Sequence, residues 1–109
     1  MDKRLAIQKV KNYKQEIDKA VKILEALPDF QAKTVSQSGG QVIIRFETYE
    51  NMNTVRNHLL NDGWTQEDVS YLGDTTSLQM SHPDFPMNYG IICPLILSID
   101  TEVLVGNGV

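Results

Sequence analysis

The side chains of this sequence best suited to nucleophilic or metal chemistry are His58, His82, Cys93 and acids such as Asp84. A zinc site shows paired ligands at short spacing, such as two cysteines separated by two residues or two histidines one helical turn apart. Here the histidines are 24 residues apart and Cys93 is the single cysteine. No metal site is expected, and no cofactor is implied. A cysteine nucleophile needs a neighbouring base to generate its thiolate, and by sequence only His82 could serve. Yet Cys93 lies in the apolar run Ile91-Ile92-Cys93-Pro94-Leu95-Ile96, where a free cysteine behaves as a small core hydrophobe. Glu67-Asp68 pairs two carboxylates, but adjacent strand residues point to opposite faces and make a poor acid–base couple. Gly39-Gly40 lacks the spacing and lysine of a phosphate-binding loop and precedes a strand, not a helix.

With no catalytic constellation, the chemistry left is recognition, and two groups of residues could supply it. The segment Ser81 to Gly90 combines two prolines with Phe85, Met87 and Tyr89. Loops held by a rigid scaffold often carry function, and pre-ordered aromatics bind at low entropic cost. Phe85 and Tyr89 are the anchors of that possibility; the competing expectation is that Phe85 and Met87 close one end of the core. Trp64 is expected inside. The acids Glu47, Glu50, Glu67, Asp68, Asp74 and Asp84 fall at element ends and turns, where they should be exposed. Clustered, they would meet a basic partner; scattered, they confer solubility.

The elements that must position these residues can be read from periodicity. From Asp2 to Leu27 the apolar residues Ala6, Val10, Tyr13, Ile17, Ala20, Leu24 and Leu27 recur at spacings of 4, 3, 4, 3, 4 and 3. This is a heptad stripe on a long helix, widened by Ile7 and Val21 and ended by Pro28. The stripe could pack on a sheet of its own domain or on another helix. Val10, Tyr13, Ile17 and Leu24 are the candidate self-association residues.

A hairpin follows, with strands Phe30–Gln37 and Gln41–Glu47 around the turn Ser38-Gly39-Gly40. A second helix is expected over Glu50–Asn61, capped by Thr48 and stopped by Asn61-Asp62-Gly63. Trp64 opens an extended segment, and Val69–Leu72 and Thr75–Met80 flank the turn Gly73-Asp74. Ile91–Asp100 and Glu102–Val105 read as strands, with Pro94 placing the first at an edge or at a bulge. Gly106 to Val109 reads as a frayed tail. The order is α-β-β-α-β-β-β. That favours an α+β domain over residues 1–109, both helices on one face of a mainly antiparallel sheet.

Composition bounds these readings. Leu, Ile, Val and Phe number 31 of 109 residues, well above the level at which a chain fails to fold. One such domain has a modest core and no room to enclose a bulky cofactor. The longest apolar run, Ile91 to Leu97, is far too short to span a bilayer. The first residues lack the apolar stretch of a secretion signal, and a lone cysteine gives no support for an oxidising environment. The cytoplasm is the expected compartment. The net charge of −4 hides a division. Residues 1–33 hold eight of the ten basic side chains against five acids, a net of +3; residues 34–109 hold two against nine, a net of −7. An acidic body disfavours direct nucleic-acid binding, which depends on cationic contacts.

The run Val42 to Trp64, strand then helix then Asp-Gly-Trp, resembles the β-α-β unit of ferredoxin-like small domains. These features are generic and imply no activity. In size, acidity and lack of catalytic motifs the chain is also similar to small accessory proteins of phages and mobile elements, inhibitors of host defence among them. The expectation is a non-catalytic protein-binding module. It would self-associate through its first helix, present acids to a basic partner, and possess neither a membrane anchor nor a nucleic-acid surface. The alternatives are a small-molecule-binding or enzymatic domain using the His82–Tyr89 loop, and a phage structural or assembly component.

Overall fold

The amphipathic first segment forms α1, Lys3–Glu25. Its last turn tightens through bonds from the Ala26 amide to the Lys22 and Ile23 carbonyls, and Pro28 prevents continuation. A computed structural model of the chain describes residues 3–38, 41–85 and 93–103. After α1 come β1 (Thr34–Ser38), β2 (Gln41–Phe46), α2 (Tyr49–Asn61), β3 (Thr65–Leu72), β4 (Thr75–Ser81) and β5 (Leu95–Asp100). This is an α+β fold in the expected order. The five strands form one sheet in the order β1-β2-β5-β4-β3. Neighbours are antiparallel except β2 and β5, which run parallel.

Register explains the core. Val42, Ile44 and Phe46 of β2 stand level with Leu95, Leu97 and Ile99 of β5, and those with Met80, Leu78 and Thr76 of β4. All nine are buried. Ala20 and Ile23 of α1, with Met52, Val55 and Leu59 of α2, cover this face, so both helices lie on one side. The other face carries Ile43, Arg45, Ile96, Ser77 and Gln79, all partly exposed. Such one-sided covering is ordinary for a largely antiparallel sheet.

Local chemistry closes α2 at both ends. Thr48 is extended, and its Oγ1 accepts from the Asn51 amide at 3.3 Å, satisfying one orphan donor of the first turn. At the far end the Trp64 amide reaches back to the Leu59 carbonyl at 3.0 Å, and Gly63 has φ +91°. That is a Schellman ending, which needs a left-handed residue. Gly73, at φ +61°, makes the tight turn between β3 and β4.

Three expectations need correction. Pro94 does not push the last strand to an edge: it stands just before β5, the central strand of the sheet. The missing amide therefore costs no ladder bond, and the Pro94 carbonyl accepts from the Val42 amide at 2.8 Å. Residues 101–103 are helical, not extended; Leu104, Val105 and the tail lie outside the described residues. The first hairpin strand starts at Thr34, not Phe30, because Phe30 turns inward against Phe46, ring centroids 6.0 Å apart. Gly39-Gly40, Met87, Tyr89 and Ile91-Ile92 also lie outside the described residues. The β2-α2-β3 crossover joins strands that share a direction but are separated by β5 and β4. It is a split unit, as in ferredoxin-like domains, widened here by the intervening β5.

Candidate functional site

α1 spans 23 residues, about 34 Å at the usual helical rise, and only its C-terminal part docks. Ala20 and Ile23 are 6% and 0% exposed, and Leu24 and Leu27 pack at the core's margin. Val10, Tyr13, Ile17 and Val21 are 68%, 59%, 38% and 46% exposed. The molecule is accordingly 56 Å long and 29 Å by 24 Å across. Helical geometry gives the reason: at 100° per residue, Ala20 and Ile23 centre on one direction. Ala6, Val10, Tyr13, Ile17 and Val21 centre roughly 90° around the helix from it. The heptad stripe is two overlapping seams. One seals the sheet, and the other runs along the projecting half of the helix. Of the four self-association candidates, Val10, Tyr13 and Ile17 lie on the exposed seam, and Leu24 is half-buried against the domain's own core.

The six candidate acids do not converge on one patch. The strand register sorts them to two ends of the sheet. Glu47 follows β2 and Glu50 opens α2. Asp74 turns β3 into β4 beside the end of β5, where its carbonyl accepts from the Thr101 amide at 2.7 Å. Asp100 and Glu102 lie at this same end, around a shallow polar cleft lined also by Arg45, Gly73 and Thr101. Arg45 reaches along the open face to bond Asp100. That bond holds the Asp100 carboxyl below the usual carboxylate range.

At the opposite end stand Glu67 and Asp68, early in β3, and Asp84 beyond β4. Glu67 is the extra residue of a bulge, since Gln66 pairs with Met80 and Asp68 with Gln79. It accepts from the Ser81 hydroxyl at 2.6 Å. A bulge breaks strict alternation, which the sequence pattern did not show.

The nucleophile and loop candidates are occupied structurally. Cys93 is buried, and desolvation, with the negative charges of Glu67 and Asp68, raises its thiol pKa. A thiol so placed stays protonated and inert. His82 Nδ1 accepts from the Asp84 amide at 3.1 Å. The His82 ring leans on Trp64 and Phe85 with centroids 5.3 Å and 5.9 Å away, and Trp64 stacks on Phe85 at 5.6 Å. Phe85 therefore joins the edge of the core. Tyr89, the other anchor of that loop, is outside the described residues. Among the described residues, no group of three or more His, Cys, Asp or Glu is placed to hold a metal ion. Nor is any of their helices long and apolar enough to cross a membrane.

No protein-family model, curated protein or solved structure matches the chain.

Proposed function

We propose that this chain is a non-catalytic protein-binding module that associates with copies of itself through the projecting half of α1. One observation carries this reading: Val10, Tyr13, Ile17 and Val21 form an apolar seam on a helix whose other seam is already buried. An isolated half-helix gains little from propensity and is normally held by packing of its apolar side. Two copies would bring eight such side chains together. At about 1–2 kcal/mol each, their burial is of the same order as an association cost of about 4–15 kcal/mol, so the pairing is weak and depends on protein concentration. Light scattering across low to high micromolar protein tests it. The expected mass rises above that of one chain and returns to it for Ile17→Glu. A wild-type protein that remains monomeric throughout contradicts the reading.

The body, net −7 over residues 34–109, supports a second contact, with a basic protein. The end carrying Glu47, Asp74, Asp100 and Glu102 offers the larger group of acids for it. A partner whose cationic face ordinarily holds phosphates would be inhibited by such occupation. Capture of that partner should weaken steeply as salt is raised, because exposed charges are screened within about 8 Å at physiological ionic strength. Equal retention at low and high salt counts against it.

A further inference from the structure

We infer that the paired helices run antiparallel, in a two-fold dimer whose basic ends lie along each other's acidic halves. This rests on the self-association proposed above and adds its direction. Charge along α1 is sharply divided. Residues 3–14 contain Lys3, Arg4, Lys9, Lys11 and Lys14 and no carboxylate. Residues 15–25 contain Glu16, Asp18 and Glu25 against Lys19 and Lys22, and Asp29 follows just beyond the helix. A parallel pair would lay five cations beside five. An antiparallel pair lays each cationic half beside the anionic half of the other copy and points it toward that copy's acidic sheet.

The exposed seam fits the same direction. In a pair centred near Tyr13 and Lys14, Ala6 of one copy falls level with Val21 of the other, and Val10 with Ile17. Ala6 then faces the β-branched Val21 at each end of a seam of about 22 Å, with Val10 and Ile17 packing between, and Lys11 and Lys3 fall near the levels of Asp18 and Glu25 of the second copy. The contact is isologous, as a two-fold dimer requires: the same patch serves both chains. The seam alone is shorter than a stable interface needs. Antiparallel overlap extends it, because each N-terminal end then reaches the other copy's sheet body; the 56 Å length of the chain leaves those bodies at opposite ends of the pair.

Cysteine trapping in the full chain reads the direction, and light scattering of the same samples reads association itself. Disulfides need Cα atoms within about 7 Å. Ala6→Cys alone should not cross-link to itself, since antiparallel copies of that position lie about 22 Å apart. An equimolar mixture of Ala6→Cys and Val21→Cys chains should cross-link, with peptide mapping distinguishing the bond from any at the buried Cys93. The double variant Lys3→Gln, Lys11→Gln should weaken the dimer about tenfold through loss of exposed ion pairs on both sides of the two-fold. A dimer in which Ala6→Cys cross-links to itself and the lysine variant tightens association overturns the antiparallel direction while leaving self-association standing. A monomer at every concentration overturns both.

Discussion

The two halves of α1 share one amphipathic pattern and meet opposite fates. From Ala20 to Leu27 the stripe closes the core, and Ile23 is fully buried. From Ala6 to Ile17 the same spacing continues, but the sheet beneath has ended, and Val10 and Tyr13 stand mostly in water. Periodicity specifies that a helix has an apolar side; it does not specify which surface will cover that side. The extent of the sheet decides that, and here the sheet serves only the final turns.

The sharpest way to test this contrast is to truncate one side chain on each half. Ile23→Ala should lower stability by about 2–4 kcal/mol in urea titration, as for other fully buried aliphatic side chains. Tyr13→Ala, measured at a concentration low enough to hold the monomer, should change it by no more than about 0.5 kcal/mol. Equal losses at the two positions would erase the distinction. A smaller effect is expected at the end of α2, the helix that is closed at both ends within the chain. Gly63→Ala should cost about 1–2 kcal/mol, since φ +91° strains any L side chain. The new methyl would also stand 3.4 Å from His82 Nε2. Thermal melts should show the loss without any change in association, which separates folding defects from defects of the exposed seam.

The smallest effect concerns the Arg45–Asp100 pair at the acidic end. Its bond depresses the Asp100 pKa relative to the unfolded chain. The stability it contributes is therefore present above the ordinary carboxylate pKa and fades as pH falls through the lowered folded value. Wild type and Asp100→Asn should differ in urea midpoint near pH 6, and the gap should narrow as pH falls below the ordinary carboxylate range and through the lowered folded value. Because both side chains are partly exposed, with 39% and 32% of their surfaces in solvent, the difference should be modest. A gap that persists at low pH would assign the effect to shape and not charge.

Much of the fold was legible from local chemistry. The heptad spacing marked α1, the alternation Val42-Ile44-Phe46 marked β2, and Thr48 with Asp62-Gly63 bounded α2. Those signals act within a few residues. What depends on distant pairing was not legible: β5 inserts between β2 and β4, which makes Pro94 a neighbour of the sheet's centre and not its edge. The bulge at Glu67 arises from pairing with β4 and leaves no mark on the alternation of β3 itself. The acids illustrate the same limit. Their exposure could be read from turns and ends, but their division between two ends of the sheet follows only from strand order. The exposed seam was half legible, because Val21 and Ile7 widened the stripe without revealing that it would split.

Backbone hydrogen exchange at two protein concentrations tests the central claim most directly, since it reads both halves of α1 in one experiment. The protein would be compared at about 1 μM, where a weak pair is dissociated, and at several hundred micromolar, where mass action favours it. Amides of residues 6–17 should be weakly protected when dilute, as a helix end without packing frays, and strongly protected when concentrated. Amides of residues 20–25 should be protected equally in both. Identical exchange across residues 6–17 at the two concentrations would contradict the account, because the projecting half would then have no second copy to meet.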